Sequence, residues 1–335
     1  MRVKQAMLLA AGLSTRLRPL TDEIPKPLLP FWNRTVLDVT VAYLKDAGIT
    51  AAAVNVHHGR DRFLSVLQQR HPIRLVPFVE ETILGTGGGI KNMRRFITDR
   101  TFVVANCDVI ADVDLVKAIR FHLSKKSIAT MVLAGHRDLR GYKTIGVQKD
   151  GRITSFPYSK VSGDVDERGL FSGIHIFDRA IFSEFPDVEI FDINQNVYGP
   201  LLDRGGPVFA YVSPAPWIDL GETRLYAAAQ FDLLEERPKW LTPFLKNFTG
   251  KTKKTFVAKN ASVAKDAVLH APLLIAAKAT VEGECRIGPS VVLGPRSSVG
   301  PGCSLDRVVV LPDAHVPAGT TSRRQIFTAH GPVAF

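Results

Sequence analysis

The chain has 335 residues, of which 45% are hydrophobic and 22% charged, a composition typical of a soluble globular protein with a large core. It has no apolar stretch as long as a membrane span, no signal-peptide layout at its start, and three cysteines, too few for a disulfide framework, so we expect a cytoplasmic protein. The net charge of +11 favours an anionic partner, which could be nucleic acid, a membrane surface or a phosphorylated small molecule.

Strand and helix patterns alternate along roughly the first 235 residues. Strands are predicted over residues 3–11, 51–58, 74–80, 101–109, 128–135, 170–177 and 208–213. Helices are predicted over residues 36–46, 61–69, 89–96, 114–123 and 223–236, with shorter helical stretches near residues 180 and 195. A hairpin over residues 145–156 turns at Asp150-Gly151. This alternation predicts an α/β fold, a Rossmann-like, mostly parallel sheet with helices on both faces.

Beyond residue 238 the pattern changes to a six-residue period. Nine aliphatic residues recur at this interval: Val263, Leu269, Ile275, Val281, Ile287, Leu293, Val299, Leu305 and Leu311. Such hexads predict a short left-handed parallel β-helix of about three coils. Cys285 and Cys303 should stack on adjacent coils as packing residues. We expect a first domain over residues 1–238, a linker over 239–255, the β-helix over 256–322 and a tail over 323–335.

The β-helix and the charge of the chain suggest different partners. A short solenoid leaves an open end and an apolar flank, so we expect a homo-oligomer formed through the β-helix. The chain carries no helix-turn-helix, zinc-finger or RNP signature. Its one dense basic cluster, residues 251–255, is typical of a solvated linker. We therefore expect no nucleic acid and no membrane among the partners.

The loop after the first predicted strand combines glycine, hydroxyl residues and cations. Gly12 follows an apolar run, and Arg16, Arg18 and Lys26 come shortly after it. Loops at the carboxyl ends of parallel strands bind ligands in open α/β sheets, and backbone N–H groups of such a loop can surround an anion. Arginine clamps phosphate with two hydrogen bonds and lysine adds a point charge. The loop therefore predicts a polyphosphate ligand, although neither a P-loop nor a G-x-G-x-x-G motif is present.

The same stretch, AAGLSTRLRPLTDEIPKP, resembles the signature of the sugar-phosphate nucleotidyltransferases, A-A-G-x-G-T-R-L-x-P-L-T followed by P-K-P, with Ser14 in place of the second glycine. The segment LGTGGGIKNM resembles the second loop of that family, which approaches the nucleotide base. The resemblance implies catalytic roles for Arg16 and Lys26. It implies nucleotide contacts for Ala10, Ala11, Gly12, Ser14, Thr15, Gly85, Thr86, Gly87 and Gly88.

Two further segments resemble the metal-binding motifs of the family. NCDVI contains Asp108 and PWIDLG contains Asp219, which match the two Mg²⁺ ligands of these enzymes. Carboxylate oxygens are the ligands that Mg²⁺ prefers. The resemblance also assigns sugar-phosphate contacts to Asn106, Gly146 and Gly173. Where the family often has E-K-P, this chain has SFPYSKV, so Lys160 is a candidate displaced by one position.

The resemblance implies nucleotidyl transfer from a nucleoside triphosphate to a sugar 1-phosphate, giving a nucleotide sugar and pyrophosphate. Our best interpretation is GTP and mannose 1-phosphate, and a uridylyltransferase or another nucleotidyltransferase acting on a different sugar is the alternative. Hexapeptide repeats also occur in acyltransferases, for which His270 and His315 would be the candidate bases. A regulatory homologue that senses sugar nucleotides without catalysis is another alternative. Nucleic-acid binding is suggested by charge alone.

Overall fold

The computed structural model describes residues 3–135, 143–236, 242, 244–249 and 254–335. The predicted domain end at residue 238, part of the predicted linker and most of the basic cluster lie outside the described residues. The chain divides into two compact units, one formed by Met1–Leu13 with Thr40–Ile218 and the other by Ser14–Val39 with Asp219–Phe335. No helix within the described ranges is long and apolar enough to cross a lipid bilayer.

The described residues form six α-helices: α1 Val36–Asp46, α2 Arg60–Leu67, α3 Gly85–Asn92, α4 Leu115–Lys125, α5 Gly199–Asp203 and α6 Thr223–Glu236. The bounds of α1 and α6 are those predicted. The helix predicted over residues 89–96 is wrong in its start, because α3 begins at Gly85 and a separate 3-10 turn covers Arg94–Phe96. Glycine has a low helix propensity, which hid this first turn in the sequence.

The first thirteen strands are β1 Gln5–Leu9, β2 Pro30–Phe31, β3 Arg34–Thr35, β4 Ala51–Val56, β5 Arg74–Val79, β6 Thr101–Asn106, β7 Val109–Ala111, β8 Ala129–Ala134, β9 Thr144–Val147, β10 Ile153–Ser155, β11 Glu167–Asp178, β12 Val208–Ser213 and β13 Trp217–Asp219. The predicted hairpin is confirmed. β9 and β10 pair antiparallel, and Gly151 in their turn has φ +87°.

The first unit is built on a nine-stranded mixed sheet. Its main path runs β10-β9-β11-β6-β1-β4-β5, and β8 pairs with both β11 and β12. Strands β6, β1, β4 and β5 are parallel, whereas β11 is antiparallel to β6. The core contains fully buried residues such as Met7, Val104, Met131, Phe177 and Tyr198. The α/β prediction is confirmed, and the parallel strands bring the loops after β1, β4 and β6 to one edge of the sheet.

The second unit contains a parallel β-helix. Its strands are β14 Phe248–Thr249, β15 Thr255–Ala258, β16 Ser262–Val263, β17 Val268–Leu269, β18 Leu273–Ile275, β19 Thr280–Val281, β20 Arg286–Ile287, β21 Val291–Leu293, β22 Ser298–Val299, β23 Ser304–Val310, β24 His315–Val316, β25 Thr321–Thr328 and β26 Gly331–Ala334. Parallel pairs such as Ile275 with Leu293 are eighteen residues apart, which is three hexads. Cys285 and Cys303 are free and buried in this core.

The last coil departs from the predicted repeat. Leu293 pairs with Val310 and Ser298 pairs with His315, so this coil has seventeen residues. The assignment of Leu311 to the hexad series is therefore wrong, because the missing residue moves Val310 into the column. The sequence after residue 322 is also more than a tail. β25 pairs parallel with β23, and β26 folds back onto β25 as a hairpin.

Two glycines of the β-helix differ in the space that surrounds them, which shows where the coils stack most closely. Both have positive φ, but a Cβ at Gly288 would lie 1.9 Å from the carbonyl oxygen of His270, whereas one at Gly319 would meet nothing within 4 Å. We expect Gly288→Ala to lower the free energy of unfolding by roughly 3 kcal/mol or more, because backbone must move. Gly319→Ala should cost only about 1 kcal/mol.

Chemical denaturation followed by circular dichroism measures both changes. Equal losses of stability in the two variants would contradict the close coil contact at Gly288.

Candidate functional site

The loop after β1 begins with two buried alanines and then reaches open space. Ala10 and Ala11 are buried, whereas a side chain placed at Gly12 would meet no atom within 4 Å. The backbone N–H of Ala10 donates a 2.6 Å hydrogen bond to Oδ1 of Asn55 in strand β4. A side chain from β4 thus fixes the start of the loop, and Gly12 leaves room for a ligand beside the backbone.

Asn55 continues this bond into a chain of hydrogen bonds. Its Nδ2 donates to Oε1 of Glu80 at 2.7 Å, and Oε2 of Glu80 accepts the backbone N–H of Leu84 at 3.3 Å. Leu84 directly precedes α3. We call Ala10, Asn55, Glu80 and Leu84 the loop-linking chain, because it joins the loop after β1 to the start of the glycine-rich helix.

Glu80 is an unusual carboxyl group for a strand end. Its side chain is only 4% exposed, and burial raises its pKa, while the hydrogen bonds from Asn55 and Leu84 act in the opposite direction. Sequence reasoning missed both Asn55 and Glu80. A polar Asn inside the apolar run AAAVNV was the available signal, since a buried amide needs partners on both of its atoms.

The glycines of α3 make room for the protein itself. A Cβ at Gly85 would lie 2.7 Å from the carbonyl oxygen of Phe191, and one at Gly87 would overlap the ring of Phe191. One at Gly88 would lie 2.1 Å from the carbonyl oxygen of Glu189. The backbone N–H groups of Gly87 and Gly88 donate to the carbonyl oxygen of Phe191, so these two donors are committed to the protein itself.

Thr86 contributes to the same contact. Its hydroxyl donates to Oδ2 of Asp192 at 3.0 Å and accepts the backbone N–H of Ile193 at 3.1 Å. The side chain of Thr86 is therefore committed to the segment after Phe191. The structure shows how Gly85–Gly88 is held in place, and the nucleotide contacts assigned to these residues stay a prediction.

The end of β6 carries the asparagine and aspartate singled out in the sequence. Asn106 packs against Gly173, whose φ is +81° and where a Cβ would come within 3.1 Å of Asn106. Asn106 and Asp108 are half-buried. Between them, Cys107 is fully buried, and burial raises its pKa to about 12, so its neutral thiol packs in the core.

Of the residues expected at the sugar phosphate, Gly146 is enclosed by packed side chains, whereas Lys160 is exposed. The space beside Gly146 is filled by Val165 and Ser155, whose atoms lie 2.8 and 2.9 Å from where a Cβ would stand. The backbone N–H of Lys160 donates to Oδ1 of Asp203 at 2.7 Å, and its side chain is exposed. Gly146 thus serves strand packing, and only the ammonium group of Lys160 is available to a ligand.

Another lysine in this region was missed by sequence reasoning. Nζ of Lys143 lies 4.9 Å from the centre of the Tyr158 ring and 3.3 Å from its hydroxyl. Tyr158 stands where the family often has glutamate. An ammonium group held against an aromatic face keeps its charge while its position is restricted. Lys143 precedes β9, so no sequence motif marked it.

In the second unit, Ser14 has a backbone that glycine would supply in the family signature. Its φ is +51° and its ψ +40°, in the left-handed region. The carbonyl oxygen of Ser14 accepts the N–H of Leu17 at 3.0 Å and the hydroxyl of Thr21 at 2.9 Å. These bonds close a short 3-10 turn over Thr15–Leu17, which exposes Thr15 and the side chain of Arg16.

Arg16 lies beside the predicted metal ligand Asp219. A Cβ placed at Gly221 would lie 3.0 Å from one Nη of Arg16. It would lie 2.8 and 3.1 Å from the two carboxylate oxygens of Asp219. The N–H of Gly221 donates to Asp219 at 2.7 Å. Glu222 holds the other side of the guanidinium at 3.8 Å, yet 68% of the Arg16 side chain stays exposed. A Cβ at Gly221 would push these two side-chain ends away from their present positions.

Lys26 is a buried cation. It is 5% exposed and opens a 3-10 turn between Pro25 and Pro27. Proline restricts the backbone on both sides, so the position of Lys26 is defined before a ligand binds.

The carboxylates of Asp108 and Asp219 suit a magnesium ion by their chemistry. Both side chains are half-buried, and Asp219 keeps acceptor capacity beyond its bond to Gly221. Among the described residues no group of three or more His, Cys, Asp or Glu side chains could hold a metal ion. Mg²⁺ typically takes one or two carboxylates from a protein and completes its shell with water and substrate phosphates.

An α/β sheet with phosphate-compatible loops at the carboxyl ends of its strands defines a nucleotide-binding class of protein. A family model described as nucleotidyl transferase matches residues 5–236 of the chain. The chain therefore belongs to the nucleotidyl transferase family.

Several enzymes and one solved structure are similar to this chain. A UTP–glucose-1-phosphate uridylyltransferase from Synechocystis sp. is 29% identical over 66% of this chain and 61% of its own length. A D-glycero-alpha-D-manno-heptose 1-phosphate guanylyltransferase from Aneurinibacillus thermoaerophilus is 30% identical, over 68% of this chain and 98% of its own. A mannose-1-phosphate guanylyltransferase from Mycobacterium tuberculosis is 28% identical over 68% of this chain and 64% of its own. The crystal structure of HddC from Yersinia pseudotuberculosis superposes with a TM-score of 0.59 at 25% identity, covering 69% of this chain and all of that one.

Asn55 tests the loop-linking chain. We expect Asn55→Ala to lower the free energy of unfolding by roughly 2–4 kcal/mol, because the Ala10 N–H and the Glu80 carboxylate lose their partner. Since the Asn55 bond lowers the pKa of Glu80, its removal raises that pKa further. The part of the loss that comes from Glu80 should be small below the ordinary carboxyl pKa of about 4.3 and grow as pH rises, so the total loss is larger at about pH 8 than at about pH 5.

Urea denaturation at the two pH values measures this difference. Asn260→Ala, at an exposed position, is the control and should change stability by less than about 0.5 kcal/mol. A loss in Asn55→Ala that is independent of pH would contradict the coupling to Glu80.

Proposed function

We propose that this protein transfers a nucleotidyl group from a nucleoside triphosphate to a sugar 1-phosphate, releasing pyrophosphate. Family membership supports this reaction class. The observation that carries the proposal is the position of Arg16. Its exposed guanidinium lies on the phosphate-compatible loop, beside the carboxylate of Asp219. A guanidinium next to a metal-binding carboxylate is the chemistry that a triphosphate requires.

The main obstacle to this reaction is the electrostatic repulsion between its two phosphorylated substrates. A phosphate monoester has a second pKa of about 6, so the sugar phosphate is mostly ionised at neutral pH and needs no strong base. Two polyanions must approach each other, and their repulsion is several kcal/mol at an effective dielectric constant of about 20. Catalysis therefore requires positioning and charge neutralisation. In this proposal Arg16 neutralises the β- and γ-phosphates, and Lys26 holds the departing pyrophosphate or the incoming phosphate.

Asp108 and Asp219 would hold the magnesium ion. When bound, Mg²⁺ neutralises and orients phosphate oxygens. The remaining contacts would come from the chain itself: Ala11, Gly12, Ser14 and Thr15 offer backbone N–H groups to the phosphates, Gly85–Gly88 approaches the base, and Asn106 with Gly173 contacts the sugar.

The substrates belong to the proposal. GTP and mannose 1-phosphate are the pair we favour, because two of the similar enzymes are guanylyltransferases and one of them acts on mannose 1-phosphate. The similarity to a uridylyltransferase keeps UTP as the alternative nucleotide. For the acyltransferase alternative, His270 is exposed and Nδ1 of His315 lies 2.8 Å from the hydroxyl of Ser298 on the surface. Neither arrangement favours a catalytic base.

A pyrophosphate-release screen tests the function directly. The common nucleoside triphosphates are paired with glucose, mannose and heptose 1-phosphates in the presence of Mg²⁺, and each pair is repeated with a chelator. We expect release with at least one pair and none after chelation. No release from any pair at full protein concentration would reject the proposal.

Arg16 and Arg18 form a matched pair of loop arginines. We expect Arg16→Ala to lower kcat by at least roughly 100-fold, because a cation facing the phosphates is lost. Arg18 pairs with Asp22 at 3.2 Å instead, so Arg18→Ala should keep kcat within about 3-fold. Steady-state kinetics measures both, and circular dichroism confirms folding. Equal losses would mean that general loop charge, and not Arg16, supports the reaction.

Lys143 is our candidate for the sugar-phosphate cation that the E-K-P motif usually supplies. Both Lys143 and Lys160 are exposed, but the Tyr158 ring and hydroxyl restrict the ammonium group of Lys143. We expect Lys143→Ala to raise KM for the sugar 1-phosphate by about 10-fold, the value of one charge-assisted hydrogen bond, with little change in KM for the nucleotide. Lys160→Ala is the control for the residue that the sequence indicated. A selective rise in Lys160→Ala, and none in Lys143→Ala, would return the role to Lys160.

The homo-oligomer predicted from the β-helix stays a prediction.

A further inference from the structure

A cleft of about 370 Å³ lies within the second unit, on the side of α6 that faces the β-helix. α6 contributes one wall and the corners of three successive coils contribute the other. The cleft is lined by Arg224, Ala228, Phe231, Asp232, Ser290, Arg307, Arg324 and Phe335. None of these residues belongs to the site described above.

Two of the arginines are stacked on each other by the coil geometry. Arg307 and Arg324 occupy equivalent corners with φ +53° and +54°. Their flanking residues pair in register between β23 and β25, so the two corners lie on adjacent coils about 4.8 Å apart. Stacking places two like charges side by side, which is unfavourable unless a counter-charge is present.

In neighbouring columns of the β-helix, an aspartate on an adjacent coil pairs with the arginine. Arg296 stacks on Asp313 with two hydrogen bonds of 2.6 Å, and Arg323 stacks on Asp306 at 2.9 Å. The column of Arg296 also holds Lys278, one coil earlier, but Asp313 supplies it with a carboxylate. The column of Ser290, Arg307 and Arg324 differs because it holds two cations and no carboxylate.

The third cation comes from α6. Arg224 lines the opposite wall, and within the described part of the chain none of the three guanidinium groups forms an ion pair or a side-chain hydrogen bond. Three guanidinium groups and one carboxylate, Asp232, give the lining a net charge of +2. A concave surface concentrates such a field and attracts anions.

We propose that this cleft binds a phosphate-bearing small molecule. Guanidinium groups bind phosphate oxygens with paired hydrogen bonds, and stacked corners present two of them to one group. The rings of Phe231 and Phe335, 6.4 Å apart, form an apolar wall that suits a sugar or a base attached to the phosphate. The volume is that of a small-molecule site.

α6 links this cleft to the loop that carries Arg16 and Lys26. On α6, the hydroxyl of Tyr226 donates to the carbonyl of Pro30, and Gln230 bonds to both the backbone and the ring N–H of Trp32. Glu222, just before α6, pairs with Arg16. A ligand that contacts Arg224 therefore acts on the same helix that supports the catalytic segment.

Calorimetry on the full chain tests the proposal without relying on activity, so its outcome is independent of the proposed function. Inorganic pyrophosphate and GDP-mannose are titrated separately into the Arg16→Ala protein, in which the catalytic loop is weakened. The same background then carries Arg307→Gln with Arg324→Gln. A matched control carries Lys278→Gln with Arg286→Gln, two exposed cations of the β-helix outside the cleft.

We expect the cleft variant to lose at least about 10-fold in affinity for one of the two probes and the control to lose less than about 2-fold. Loss for pyrophosphate alone identifies an inorganic phosphate ligand, and a larger loss for GDP-mannose identifies a nucleotide ligand. Unchanged affinity in the cleft variant, or an equal loss in the control, would overturn the proposal. If the cleft variant does not fold, Arg224→Gln alone replaces it, with the same expected direction.

Discussion

The site depends on one buried hydrogen-bond chain, in which Asn55 joins the backbone of Ala10 to the carboxylate of Glu80. Loops that bind phosphate have little apolar surface of their own to hold them in place. The loop-linking chain provides that support from the strands behind, because a buried amide and carboxyl satisfy backbone donors on both loops at once. Its cost is a buried acid whose pKa is raised.

A second constraint is close approach, and glycine provides it in two different ways. At Gly85–Gly88 the missing side chains admit the protein segment that ends at Phe191, so these glycines build the loop before any ligand arrives. At Gly221 the missing side chain admits the Arg16 guanidinium and the Asp219 carboxylate. A glycine motif in the sequence therefore indicates where two groups must meet, and only the structure says which groups they are.

In the second unit, α6 contacts both the segment that contains Arg16 and Lys26 and the cleft formed with the β-helix. Its residues bond to Pro30 and Trp32, which hold the segment containing Arg16 and Lys26, and its other side faces the coils. The β-helix is therefore more than a repeat appended to an enzyme domain. Its corners supply cations to a cleft of their own, and α6 is shared between the cleft and the segment that contains Arg16 and Lys26.

The sequence by itself determined the local order of elements and the types of residue at the site. Periodicity predicted α1, α6 and the coils, because each depends on residues close in the chain, and the motif predicted Arg16 and Asp219. Only the tertiary structure decided the start of α3, the shortened last coil, the partners of Gly87 and the contacts of Asn55, Glu80 and Lys143. Those features depend on contacts between residues far apart in the chain, which neither spacing nor composition encodes.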